Sequence, residues 1–369
     1  MTDSRIARFA KILVDYSADI QPGDRVAIEA TTAAEPLLQE IIRCTLERGG
    51  HPHLLVSIAN QEELFFRYGS EAQLASVNEF RKYAYENFES RIRIHSVTNT
   101  RSLTNVETAK QKAFQQSLSP ILKTQMARGA QGVFKWVTTL FPTEAFAMEA
   151  NMGLHAYRDF VFDAVHASND DEDPVAYWQS LTARHQRYIR LLEGHDQIEL
   201  RGENMDLRLS IKGRKFVNSN GKHNMPDGEI FTGPVENSID GWVRYTFPAI
   251  YQSRVVEGIE LTFEKGKVVS ATSKTNQDFL QQVLDTDAGS RHVGEFAIGT
   301  NEQIDRFTGN ILFDEKIGGT FHMALGAGFP ETGSLNHSMI HWDMICDMRS
   351  DSEILADGVP VYRNGHFLV

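Results

Sequence analysis

The chain has 369 residues, 41% hydrophobic and 23% charged, the make-up of an ordinary globular protein with enough length for two domains rather than of a disordered, fibrous or membrane one. Its 37 Lys and Arg against 49 Asp and Glu leave a formal net charge of -12, which argues against a phosphate-backbone binder needing a basic face, and so against nucleic acid as a partner. The two cysteines, Cys44 and Cys346, form no CxxC pair, so spacing offers no sulfur-ligated metal site and a reduced, intracellular setting fits.

From the N-terminus, RIARFAKILVDYS alternates charged and apolar residues at helical spacing, without the uninterrupted apolar run of a signal peptide. QPGD then turns into the short apolar strand RVAIEA, the helix Glu35 to Arg48 stops at Gly49-Gly50, and HPHLLVSI reads as a second strand, completing one βαβ unit. A helical region from Gln61 to Phe88, the strand RIRIHSV, a helix from Val106 to Arg128 and the strand-like GVFKWVTTLF repeat the alternation. The expectation is an α/β chain whose N-terminal domain, residues 1–190, is a doubly wound, mainly parallel sheet, closed by helices Thr143 to His155 and Pro174 to Leu192. Past EGHDQIEL the pattern becomes short alternating strands between Gly and Asn turns, with a hairpin turning at Glu264-Lys265-Gly266-Lys267. Residues 191–369 are therefore expected to be a β-rich, antiparallel α+β domain. No window reaches the run of about 18 apolar residues that a membrane span needs, so a cytoplasmic location without a membrane partner is expected.

The N-terminal half offers little chemistry. No GxGxxG or GxxxxGK[ST] opens a helix after a strand, which demotes nucleotide binding. His51 and His53 flank a proline without a partner carboxylate and read as surface residues, and the acidic stretch SNDDEDP, Ser168 to Pro174, reads as a solvated loop.

The C-terminal half gathers carboxylates and histidines in glycine-rich turns and strand ends: Glu229 and Glu236 in NMPDGEIFTGPVENSIDG, Glu295 in VGEFAIGTN, Glu315 and His322 in DEKIGGTFHMALG, and His341 and Asp343 in IHWDM. In a strand, His341 and Asp343 project from one face while Ile340, Trp342 and Met344 pack on the other. An imidazole beside a carboxylate makes either a structural hydrogen bond or a pair of ligands for a borderline ion such as Zn or Co. With His322 and three glutamates in comparable positions, the donors exceed what one tetrahedral ion uses and suit two ions sharing a carboxylate. Asn336 and His337 fall in the turn before the strand, and Asp347 lies further along it, so His337 and Asp347 are not expected to be ligands.

These stretches, in this order from FAKILVDYSADIQPGDRVAIEA to DGVPVYRNGHF, resemble the metalloaminopeptidases of the aminopeptidase T and S type along essentially the whole chain. The resemblance implies two divalent ions per chain, Zn or Co with Mg or Mn as alternatives. It makes Glu229, Glu295, Glu315, His322, His341 and Asp343 the metal ligands, Glu295 bridging both ions. It further implies short peptides with a free N-terminus as substrates and a homodimer. Water between the ions, ionised near Glu295, would attack the scissile carbonyl, with Glu236 as a proton shuttle. The chain departs from the family at Phe329, where a tyrosine is usual, removing a donor to the developing oxyanion. That departure keeps two alternatives open: a dinuclear hydrolase of another amide, or a weakly active member. A non-catalytic binding protein is the third.

Overall fold

Five parallel strands, in the order His51–Ser57, Arg25–Thr31, Ser90–His95, Lys135–Leu140 and Asn224–Met225, form the sheet of the N-terminal half. The computed structural model describes residues 3–168 and 173–369. It divides into one unit reaching to Trp178 with Gly221–Pro226 added, and a second made of Gln179–Asn220 and Asp227–Val369. The centre of the acidic stretch, residues 169–172, lies outside the described residues.

The mainly parallel sheet is as the alternation requires, and the strand Arg25–Thr31 is buried along its whole middle, the mark of a strand covered on both faces. Ala27 packs with Ala84 and Tyr85 of helix Glu79–Asn87, with Phe88 just after it, and with Ile121 of helix Thr108–Ala130. Two helical spans divide more finely than their periodicity suggests. The span from Gln61 breaks into Gln61–Tyr68, Glu71–Leu74 and Glu79–Asn87. Gly69 leaves the helix in an extended conformation, Ser70 caps the next one in a capping box with Gln73, and Asn78 caps the third. Likewise Glu144–Glu149 and Leu154–Ala164 are separate helices, parted where Asn151 takes a left-handed φ of 53°. The short fifth strand, Asn224–Met225, has no signal in the sequence; it is fastened by Thr139 Oγ1, which donates to the Met225 carbonyl at 2.5 Å.

The second unit holds two large antiparallel sheets and a two-stranded ribbon, Ala249–Tyr251 with Arg254–Val256. One has eight strands, and its hairpin Glu260–Glu264 to Lys267–Thr272 turns at Lys265 and Gly266, both at positive φ (49° and 80°), as a two-residue hairpin turn demands. The other runs in the order His341–Asp347, Thr320–Gly326, Val293–Gly299, Glu229–Thr232 and Val217–Ser219. Leu200, Leu207, Val243 and Phe263 of the first sheet share one buried core with Phe296, Ile298, Phe321, Met323, Trp342 and Met344 of the second. That core takes one face of the five-stranded sheet and leaves its other face to the polar residues.

Candidate metal centre

The register of the five-stranded sheet decides which side chains meet. Gly299 pairs with Glu229, Ala297 with His322, Ala324 with both Glu295 and Asp343, and Gly326 with His341. Because alternate residues share a face, Glu229, Glu295, His322, His341 and Asp343 all project from the face opposite the core. Ala297, Gly299, Ala324 and Gly326 stand among them on that face and leave space open, while Phe231, Thr320 and Ile345 share the same face. Gly294 sits in a bulge opposite Leu325 and Ala324, and a Cβ there would lie 2.3 Å from the Gly326 carbonyl oxygen. Only glycine allows that approach, and the bulge aims Glu295 into the cluster.

His341 Nε2 lies 3.3 Å from Glu295 Oε2 and 3.5 Å from Asp343 Oδ1. Its Nδ1 is 2.8 Å from the Ala327 carbonyl oxygen, an acceptor that fixes the tautomer and points Nε2 at the carboxylates. His322 Nε2 lies 3.5 Å from Glu229 Oε2 and 4.0 Å from Glu295 Oε1. Glu295 therefore presents one oxygen to each histidine. Glu315 follows the short helix Ile311–Asp314, and its carboxylate, His322 and Asp343 come within 4.8 Å of one another, as do Glu295, His341 and Asp343. The two triads share Asp343.

Burial raises Glu229 to about 7 and also raises Glu295, because charge is costly away from water. Burial lowers His322, leaving the neutral imidazole that a metal requires. Burial also opposes charge on His341, but Asp343 and Glu295 outweigh it and lift the imidazole to about 11, so an ion bound there would displace the Nε2 proton. Asp343, in return, is held low by His341 against its own burial. Glu229 Oε2, both ring nitrogens of His322 and Asp343 Oδ1 are buried without a hydrogen-bond partner. Buried polar atoms are seldom left so, and one nitrogen of His322, together with Glu229 Oε2 and Asp343 Oδ1, would suit a divalent ion as its ligands.

The other residues singled out in the sequence lie elsewhere. Glu236 is not gathered in: its carboxylate takes Arg214 Nη2 at 2.7 Å and the Leu335 amide at 2.6 Å, and among the described residues no hydrogen bond or ion pair links it to the cluster. Asp347 shares the face of His341 but is paired with Arg349, His337 is exposed, and Asn336 braces the turn by donating to the Gly289 carbonyl at 3.0 Å. Phe329 packs its ring 5.4 Å from His341 and 5.2 Å from Phe231, at the edge of the cluster. His51 and His53 are exposed, and His53 rests on Phe88. A cavity of about 880 Å³ opens in the N-terminal unit among Leu54, Phe65, Phe80 and Phe114. It is lined mainly by apolar groups, so the concentration of ligating chemistry marks the C-terminal cluster instead.

Lys316 was missed by the sequence reading. It is completely buried, and its Nζ lies 3.5 Å from Glu229 Oε1 and against Glu315. The only sequence signal was a lysine next to a candidate ligand in DEKIGG, and lysines are normally exposed.

The model of the thermophilic metalloprotease (M29) family matches residues 2–367. The chain is 25% identical to aminopeptidase AmpS of Bacillus subtilis over 98% of each sequence. Among solved structures it resembles wild-type AmpT from Thermus thermophilus with a TM-score of 0.85, 19% identity and 99% of each chain covered. It also resembles a 2,5-dihydroxypyridine dioxygenase from Pseudomonas putida with a TM-score of 0.61, 12% identity and coverage of 99% and 97%. At such identities the structural likenesses speak for the fold alone, and two such different names on one fold mean that function has to be argued from the site.

Proposed function

The chain belongs to the thermophilic metalloprotease (M29) family, and on that premise we propose that it is an aminopeptidase removing N-terminal residues from short peptides at a pair of divalent ions. Glu229, Glu295, Glu315, His322, His341 and Asp343 would hold them. The observation that carries this reading is the set of buried, partnerless ligand atoms on one face of the sheet. Bound there, such ions would acidify a water and polarise a carbonyl as Lewis acids. Mixed nitrogen and oxygen donors without thiolate favour Zn or Co, with Mg or Mn as the harder alternatives.

The chain's own groups do the rest. Glu295, one oxygen toward each histidine, is suited to bridge the two positions and to keep the attacking water beside it. Ala327 holds the His341 ring in line through Nδ1. A free, neutral α-amine could ligate a divalent ion held at this face, which favours peptides with a free N-terminus over blocked ones. Glu236, already engaged by Arg214, supports Leu335 and the turn that follows, and the proton-shuttle role is assigned away from it. The same reading takes the protein as a cytoplasmic homodimer, to be checked by light scattering.

Metal analysis after dialysis is expected to return about two divalent ions per chain. With Zn or Co added at neutral pH, a free-amine peptide should lose its N-terminal residue while its N-acetylated form stays intact. No cleavage of either would remove the aminopeptidase reading, and absence of metal would remove the metal centre with it.

A further inference from the structure

Lys316 takes no part in the ligand set above, yet it is 0% exposed and ends inside the cluster. Its ammonium has carboxylates beside it, Glu229 and Glu315, and no hydrogen bond to a carbonyl or hydroxyl satisfies it among the described residues. A buried cation persists only where opposite charge compensates its lost hydration. Here that compensation comes from two groups that are also ligands.

The two triads are therefore not equivalent. Glu295, His341 and Asp343 include no group paired with Lys316, whereas Glu315, His322 and Asp343 include one that the lysine already holds. A divalent ion entering the second triad has to take Glu315 from an ammonium and then sit close to it, and like charges at such a separation in a buried setting repel strongly. An ion in the first triad meets the lysine only through the carboxylates between the two positions, Asp343 and Glu295.

We propose that Lys316 is a resident cation of the centre that makes the two metal positions unequal: the position on Glu295, His341 and Asp343 fills first, and the position on Glu315 and His322 is weakened by the lysine. The inference rests on the two-ion reading above. Its consequence is that the second ion exchanges readily and that occupancy of the second position depends on the supply of free metal.

The test is calorimetric titration of the metal-stripped full-length protein with Zn, comparing wild type with Lys316→Met, which keeps the length but not the charge, and Lys316→Arg, which keeps the charge. Wild type should show two unequal sites. Lys316→Met should tighten the weaker one by at least about tenfold and leave the stronger within about threefold, while Lys316→Arg should keep the inequality. If wild type binds a single ion and Lys316→Met binds two, the lysine proposal holds in its extreme form and the two-ion reading of the native enzyme falls. If Lys316→Met binds as wild type does, or if both sites move together, the proposal is overturned whatever the stoichiometry. Circular dichroism checks the fold of each variant, and Lys316→Gln replaces the methionine variant should that one not fold.

Discussion

Each unit buries a knot of charge, and the two knots are opposites. In the N-terminal unit Glu29 receives Arg81 in a fork, at 3.1 and 2.7 Å, and Arg93 at 2.8 Å. Burial alone would raise its pKa, but Arg93 and Arg81 overcome that and hold the carboxyl at about 2. In the C-terminal unit Glu229 is as deeply buried, yet its nearest cation is Lys316 at 3.5 Å and burial carries it to about 7. The first knot is closed by guanidinium geometry and has the character of scaffold. The second gathers negative charge and leaves ligand atoms open, a cost that a folded chain bears where the charge will be met by something it binds.

That contrast is broken or sharpened by substitution. The largest expected effect is on catalysis: Asp343→Asn, altering the residue common to both triads, should lower kcat/KM by at least about a thousandfold, or about 4 kcal/mol, with the metal-free protein still folded and losing only the stability of its pair with His341. A large loss of stability instead would make the cluster scaffold. The converse variant, Glu29→Gln, strands two guanidiniums and should cost about 3–5 kcal/mol by urea denaturation, with metal content per folded chain preserved.

The pH dependence of the first knot follows by linkage. Because the folded pKa of Glu29 lies below the ordinary 4.5, its contribution is complete above about pH 4.5 and is lost as the pH falls through about 2. The amount is about 3 kcal/mol. Wild type should therefore lose that much more stability than Glu29→Gln across this window; parallel curves would detach Glu29 from its arginines. A further acid effect starts earlier. His185, buried between Asn218 and Thr300 and pushed down to about 4, stays neutral in the fold, so stability also falls as the pH drops from about 6.5 to 4. A His185→Gln variant should flatten that part of the urea-midpoint profile.

The smallest expected effect concerns the rim of the second knot. Phe329→Tyr places a phenol beside His341 and should raise kcat by up to about tenfold with metal content unchanged. An unchanged or lower kcat would mean that the phenylalanine is not what limits turnover.

Short-range order was open to reading because it repeats within a few residues. The period-two alternation of IHWDM fixed His341 and Asp343 on one face with Trp342 and Met344 on the other, and the Lys265-Gly266 turn announced its hairpin through residues that tolerate positive φ. Helix ends were harder. The breaks at Gly69 and at Asn151 depend on single residues inside stretches whose periodicity continues past them. The strand Asn224–Met225 joins a sheet formed far earlier in the chain, and nothing local marks so short an addition.

What the sequence by itself determined, then, is the alternation of helices and strands, the shift to antiparallel strands, and which residue types could ligate a metal, because each is written in local period and chemistry. Only the tertiary structure decided which of those residues meet. Strand register set Glu229 and Glu295 against His322, the Gly294 bulge aimed Glu295, a salt bridge to Arg214 drew Glu236 away, and burial turned Lys316 from an ordinary surface-type residue into part of the centre. These outcomes depend on pairings between segments tens of residues apart, and on the loss of water that follows from them, and neither is encoded in any short stretch of the chain.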